Sequence, residues 1–448
     1  MKELPLFSSK TQNQIAKQVL SAFAIAIIIG SLVLMIPQMT TTGKISYIDS
    51  LFTSTSAICV TGLIVQDTPT YFTDLGKIVI LIMIQIGGLG IMTVGSIFGL
   101  ILGRKINIKD KFYLSSSFGS KRSFSAYKFF MIIAGVTFSI EFIGFIIMSL
   151  IFYLKYSYPI KGAMAFSLFH TVSAFNNAGF ALYSNSLEGF SGGIYINLIF
   201  MLLIIVGGLG FPVIAEIISY RRTRQLSLHA KIVLMVTATL IFLGALVFFL
   251  LEFRNPSSIE GKSMTAKILS SFFQSVTPRT AGFNTINMRS LNPATLFFLT
   301  LLMFIGASPG STAGGIKTTT FAAVTAGGIS TLRGRSQVTI FKRRLSESLV
   351  HRALTITLTA IVIVIFSTTG VLIFEKCSLV EALFESISAF GTVGLSTGIT
   401  SSLTTGSKII LILTMFIGRI GISTLSVAIA IRGTKDKISY PEDTITIS

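Results

Sequence analysis

The sequence predicts an all-α polytopic membrane protein of four tandem helix/re-entrant pore-loop/helix repeats, set around a central pore with fourfold pseudo-symmetry. Three observations predict it. Of 448 residues, 51% are hydrophobic and 12% are charged, against about 25% charged in an ordinary soluble domain. Eight apolar stretches recur along the chain, most of them near the roughly 20 residues that carry a helix across a bilayer. Between the members of each successive pair lies a short, more polar segment that contains a glycine, and these four segments resemble one another.

Residues 1–17 carry charge and lead into many apolar stretches rather than one stretch with a cleavage site, so they read as a cytoplasmic segment and not as a signal peptide. The apolar stretches are 18–36, 76–102, 129–153, 194–219, 232–251, 294–306, 353–374 and 407–431, with only the sixth expected to be interrupted. They group into pore repeats at 18–103, 129–220, 232–331 and 353–432, followed by a cytoplasmic tail at 433–448. Cys59 and Cys377 stand far apart, which leaves no disulfide framework or metal cluster.

The intervening segments are YIDSLFTSTSAICVTGL, AFSLFHTVSAFNNAGFAL, ILSSFFQSVTPRTAGFNT and LVEALFESISAFGTVGLST. In each, a phenylalanine (Phe52, Phe169, Phe272, Phe384) stands ten positions before a glycine (Gly62, Gly179, Gly282, Gly394). A second landmark, IQIGGLG, IIVGGLG, MFIGASPG or MFIGRIG, places its first glycine at Gly87, Gly207, Gly306 and Gly418. A repeat with two full spans returns to the side it started from, so all four units share one orientation. Irregular backbone at membrane depth is tolerable only inside protein or along an aqueous cavity, so four convergent loops imply a pore.

Charge placement gives the orientation. The links 104–128, 221–231 and 333–352 hold seventeen basic and two acidic residues, whereas the connectors flanking the short segments hold nine of each. This is the positive-inside asymmetry. It puts both termini in the cytoplasm and makes the re-entrant segments enter from outside. The net charge of +19 therefore marks topology and membrane-lipid contact, with no nucleic acid partner expected.

A cation crossing a membrane must exchange water for other oxygen ligands, and backbone carbonyls supply them without a trapping charge. Glycine permits the unusual backbone that aims successive carbonyls at one axis. The expected cation filter comprises Val60, Thr61 and Gly62; Asn177, Ala178 and Gly179; Thr280, Ala281 and Gly282; and Thr392, Val393 and Gly394. None is acidic, which favours a monovalent cation. Asp49, Asp67, Asp74, Glu188, Glu381 and Glu385 are candidates for an attractive outer vestibule, and Arg279 is expected to brace its loop from behind.

The sixth stretch breaks at Gly306, Ala307, Ser308, Pro309, Gly310, Ser311, Thr312, Ala313, Gly314 and Gly315. Proline removes a donor and disfavours helix at the residue before it, so this stretch reads as a gating loop on the cytoplasmic side of the filter, with Lys317 at its end facing the cytoplasm. Arg419 replaces a glycine of the other repeats inside an apolar helix; a charge at that depth is paired or pore-facing, here against the loop. Glu141 is an interhelical partner or an ion ligand. No covalent chemistry is expected, so the protein is not an enzyme.

The four glycine segments, the GASPGSTAGGIKTTT loop and the arginine of GRIG resemble the membrane subunits of bacterial Ktr potassium uptake systems, in the Trk/Ktr/HKT superfamily, over about 15–432. The resemblance implies a multi-pass potassium-translocating subunit of the bacterial plasma membrane with K+ as the transported ion, Na+ as an activator and no organic cofactor. It also implies a homodimer and a cytoplasmic ring of nucleotide-binding regulatory subunits of the KtrA type. Glycine rather than serine at Gly62 matches the potassium-preferring pattern, and the absence of an additional N-terminal helix pair points to the Ktr branch. A secondary transporter with inverted repeats is the rival reading; it requires two oppositely oriented halves, which this sequence lacks.

Overall fold

A computed structural model describes residues 9–90 and 126–429. Most of the expected basic link at 104–128, the end of the 76–102 stretch and the tail at 433–448 lie outside the described residues. Four long apolar helices carry the surface: α1 (Ser9–Leu34), α4 (Ala126–Tyr156), α8 (Leu228–Glu252) and α12 (Glu347–Phe374). Each has a window apolar and long enough to span a membrane. Their large side chains point outward, with Leu154, Phe366 and Ile373 more than 70% exposed, as a lipid-facing surface requires.

Short helices follow each of them: α2 (Tyr47–Ile58), α5 (Ile160–Phe175), α9 (Met264–Val276) and α13 (Leu379–Gly391). Serine caps start three of the four. Ser46 and Ser263 accept from the N–H three residues on, and Ser378 forms a reciprocal box with Glu381, satisfying donors that a helix start leaves open. Glycines in the long helices admit the short ones. A methyl group on Gly30 would overlap the Ser54 hydroxyl, one on Gly244 the Ser275 hydroxyl, and one on Gly144 would press on Thr171. Ser54 and Ser275 use this proximity to donate to the carbonyls of Ile27 and Ile241, both at 2.7 Å.

The returning helices are α3 (Asp74–Leu89), α6 (Ile194–Leu209), α10 (Pro293–Phe304) and α14 (Thr405–Ile420). The packing is cyclic: α5 lies against α3, α9 against α6, α13 against α10, and α2 against α14. Each short helix thus leans on the returning helix of the preceding unit, and the fourth unit closes on the first.

Here the structure corrects the expectation of a single interrupted stretch. At 1.5 Å per residue, sixteen residues reach only about 24 Å, and α3, α6 and α14 all stop at that length. Gly90, Gly210 and Gly421 follow them at φ 82°, 90° and 84°, a conformation that ends a helix and that side chains resist. After Gly210 the chain continues as α7 (Phe211–Thr223), bent by 100° from α6. After Gly421 it continues as α15 (Ile422–Ile429). In the third unit the chain resumes helical form only at α11 (Thr318–Leu332). The all-α expectation also misses a small hairpin, β1 (Thr339–Ile340) with β2 (Arg343–Arg344). Phe341 and Lys342 turn it with both φ positive, as a two-residue hairpin turn demands.

Gly421 and Gly210 separate conformational strain from contact. A side chain at Gly421 meets nothing within 4 Å, whereas one at Gly210 meets the Pro309 carbonyl oxygen at 2.7 Å. Gly421→Ala is expected to cost about 1–3 kcal/mol from backbone strain alone, and Gly210→Ala distinctly more. Thermal unfolding in detergent checks this; equal shifts would mean that α6 does not depend on its contact with the loop.

Candidate functional site: a ring of glycines over a folded loop

The chain leaves each short helix through a sharp turn. In three units an N–H reaches back five residues, Thr61 to Ser56, Ala178 to Ser173 and Val393 to Ser388, at 2.7–2.8 Å; in the third, Ala281 bonds to Thr277, four residues back. The third unit is therefore one residue out of register. Its fully buried phenylalanine is Phe273, nine positions before Gly282, and Phe272, at the expected ten, is only partly buried.

Beyond the turn all four segments share one backbone pattern. Val60 and Gly62, Asn177 and Gly179, Thr280 and Gly282, and Thr392 and Gly394 have positive φ, between 49° and 91°. Val60, Thr280 and Thr392 are β-branched, for which this region is a genuine outlier; such strain persists where surrounding structure overdetermines it. Alternating the sign of φ rotates successive peptide groups away from the two-sided alternation of a strand.

The four glycines meet in cyclic order. A methyl group on Gly62 would lie 2.9 Å from the Gly179 Cα, one on Gly179 3.1 Å from that of Gly282, one on Gly282 3.2 Å from that of Gly394, and one on Gly394 2.9 Å from that of Gly62. Each would also run into the carbonyl oxygen of the residue before the next glycine: Ala178, Ala281, Val393 and Thr61 in turn. No residue with a side chain fits these positions. All twelve predicted filter residues come together here. The hydroxyls of Thr61, Thr280 and Thr392 are buried without a hydrogen-bond partner among the described residues.

Hydroxyls not expected from the sequence hold these turns. Ser56 and Ser388 accept the N–H of Gly62 and Gly394 at 3.0 and 3.1 Å. Ser173 and Thr277 donate to the carbonyls of Phe180 and Phe283, the residues after their glycines. A signal existed in the recurring TSA, VSA and ISA triplets, but the one-residue slip hides it in the third unit. Arg279 is buried and donates backward to Thr237 on α8 at 3.2 Å.

Above the ring opens a cavity of about 380 Å³ lined by the four glycines, Glu188, Asn284, Arg289 and Ser396–Gly398. Of the six acidic candidates only Glu188 lines it. Burial raises the pKa of the Glu188 carboxyl, and it accepts from Asn284 at 2.9 Å. Asp49 is instead paired with Lys408 at 2.6 Å, and Glu385 is buried behind the fourth segment. Arg289 donates to the carbonyls of Thr397 and Gly398.

Below the ring lies the stretch between α10 and α11. Ile305 and Ile316 bridge its ends, and Gly306 abuts the Gly314 carbonyl, so the stretch is a closed loop. The loop is docked on its neighbours. Ser308 and Thr312 N–H groups bond to the Gly208 and Gly207 carbonyls, and the Gly310 carbonyl accepts from Phe211. On its other flank Gly314 lies against Thr392, and Gly315 against Gly391. Arg419 donates to the carbonyls of Thr312 in the loop and Gly87 on α3. Lys317, expected to extend to the cytoplasm, instead folds its ammonium back onto the Ala313 and Gly314 carbonyls at 2.6 and 3.3 Å. Glu141 accepts from Gln85 and Asn176 at 3.2 and 3.0 Å. It reaches the wall of a separate apolar crevice of about 630 Å³ between α3, α4 and α5, which no ring residue lines.

The family described as TrkH, cation transport protein, matches residues 2–440. The chain is 40% identical over 420 residues to the Ktr system potassium uptake protein B of Bacillus subtilis (strain 168), covering 94% of each. It is 36% identical over 434 residues to the potassium/sodium uptake protein NtpJ of Enterococcus hirae, covering 95% of this chain and 96% of that one. Its fold is similar to that of the crystal structure of the potassium transporter TrkH from Vibrio parahaemolyticus, with TM-score 0.71 and 20% identity over 96% of this chain and 86% of the other.

The hydroxyl supports make a testable point. Ser56→Ala leaves the buried Gly62 N–H and Ser388→Ala the half-buried Gly394 N–H without an acceptor, at a cost of about 1–3 kcal/mol for the buried group. Each is expected to lower the unfolding temperature in detergent, whereas Ser→Thr should retain most of it. An alanine variant as stable as wild type would show that these bonds do not hold the turns.

Proposed function

This chain belongs to the TrkH family of cation transport proteins, and from that premise we propose that it is the potassium-translocating subunit of a Ktr-type uptake system. It is a multi-pass membrane transport protein and not an enzyme. The observation that carries the proposal is the cyclic approach of Gly62, Gly179, Gly282 and Gly394, with four carbonyl oxygens turned toward neighbouring segments. In this reading the four units surround a central pore with fourfold pseudo-symmetry. The carbonyls of Val60 to Gly62 and their counterparts replace the hydration shell of K+, and the uncommitted hydroxyls of Thr280 and Thr392 add oxygen ligands at the inner end. No carboxylate stands in these segments, so a monovalent ion is bound weakly enough to leave.

The loop from Gly306 to Gly315, with Lys317, is the gate. It lies beneath the ring and is held by hydrogen bonds to α6 and by Arg419, contacts that can be exchanged without unfolding a helix. The guanidinium adds an electrostatic barrier to cations below the filter. Ions move down their electrochemical gradient, and both termini are cytoplasmic in this reading, which the basic character of the links supports. The Ktr-type reading adds assembly as a homodimer, a cytoplasmic nucleotide-binding ring as regulator, and activation by Na+, in keeping with relatives named for potassium and for potassium/sodium uptake.

Flux through the purified protein in liposomes tests the reading. Rubidium uptake should exceed sodium uptake and be independent of an opposing sodium gradient. Deleting 306–315 should raise rubidium flux without the regulatory ring while leaving selectivity near that of wild type, and Arg419→Ala should move flux in the same direction. Unchanged flux after the deletion would remove the gate assignment, and a folded but inactive Arg419→Ala protein would remove the barrier role.

A further inference from the structure

Behind the ring, the second and fourth units share a bond that the other two lack. Nine positions before Gly179 stands His170, and nine before Gly394 stands Glu385; both are completely buried. His170 Nε2 accepts the N–H of Leu182 at 3.1 Å, and Glu385 Oε1 accepts the N–H of Thr397 at 3.0 Å. Leu182 and Thr397 both lie three residues past their glycines. Two chemically different side chains thus make the same tether at the same place, from the short helix to the outer end of the glycine segment.

Each tether is locked from behind. His170 Nδ1 faces the Phe166 carbonyl at 2.8 Å, so Nδ1 carries the proton and Nε2 offers a lone pair. The Glu385 carboxylate also accepts from the hydroxyls of Ser396 and Thr400. In the first unit the equivalent Thr53 donates instead to the Asp49 carbonyl within its own helix. In the third, the buried amide of Gln274, equivalent after the one-residue slip, has no partner among the described residues. Gly179 and Gly394 are not neighbours in the ring, so the tethers hold opposite segments.

We propose that His170 and Glu385 are positioning residues for selectivity: they fix the outer ends of two opposite segments to their own short helices, and thereby set the carbonyl spacing. This rests on the ring being the filter. Buried hydrogen-bond networks rigidify when fully satisfied, and a binding site works only when its groups are held within about 0.5 Å of the productive geometry by such supports.

The test compares rubidium with sodium uptake in proteoliposomes. His170→Leu and Glu385→Leu, which remove the acceptor, should each lower the rubidium-to-sodium ratio about fivefold or more while total cation uptake persists. His170→Gln and Glu385→Gln, which keep an acceptor oxygen, should stay within about twofold of wild type. Leucine variants of native yield and wild-type ratio would overturn the proposal. Residue-resolved hydrogen exchange on the wild-type protein decides the matter if the leucine variants do not fold. The Leu182 and Thr397 amides should exchange at least about tenfold more slowly than those of Val65 and Thr285, the untethered equivalents, and equal rates would overturn the tethers. A wild-type protein that does not prefer rubidium would instead count against the filter reading and leave the exchange result standing.

Discussion

The structure depends on backbone lying against backbone deep in an apolar environment. Gly87, Gly207 and Gly418 each abut a carbonyl oxygen at the end of a short helix, those of Ile58, Phe175 and Phe390 in turn. A helix end exposes unsatisfied carbonyls, which lipid cannot solvate. Bringing a returning helix this close buries the end in protein and places the following turn at the centre. Any side chain on these glycines would separate the helices and open the ring.

The third unit departs from that rule, and the departure creates the second half of the site. Gly306, at the matching position, touches the loop's own Gly314. Freed from the neighbouring short helix, the chain folds into a closed loop beneath the ring and takes its hydrogen bonds from Gly207, Gly208 and Phe211. Arg419 stands where two other units have Gly88 and Gly208. A guanidinium in this setting needs several acceptors, and its contacts with Thr312 and Gly87 join the loop to the first unit.

Much of this was legible in the order of residues. The four glycine segments and the second glycine landmarks repeat because nothing else fits where backbones nearly touch, so a steric demand surfaces as residue identity. The tethers and hydroxyl supports were not legible in the same way: serine, histidine and glutamate on a short helix have many uses, and only the partner reached across a turn reveals which one applies. The slip at Phe273 and the breaks at Gly210 and Gly421 escaped for a related reason. Apolar composition continues straight through each break, and composition records burial and not direction.

The sequence by itself determined that the chain lives in a membrane, that it comprises four similar units, and where glycine is indispensable, because hydrophobic length and the lack of a side chain are properties of residues. Only the tertiary structure decided that the returning helices all stop short, that the acidic candidates Asp49 and Glu385 brace the protein instead of lining its mouth, and that Lys317 turns back onto the loop. Each of those outcomes depends on which hydrogen-bond partner lies within reach, and reach is set by neighbours far apart in the chain.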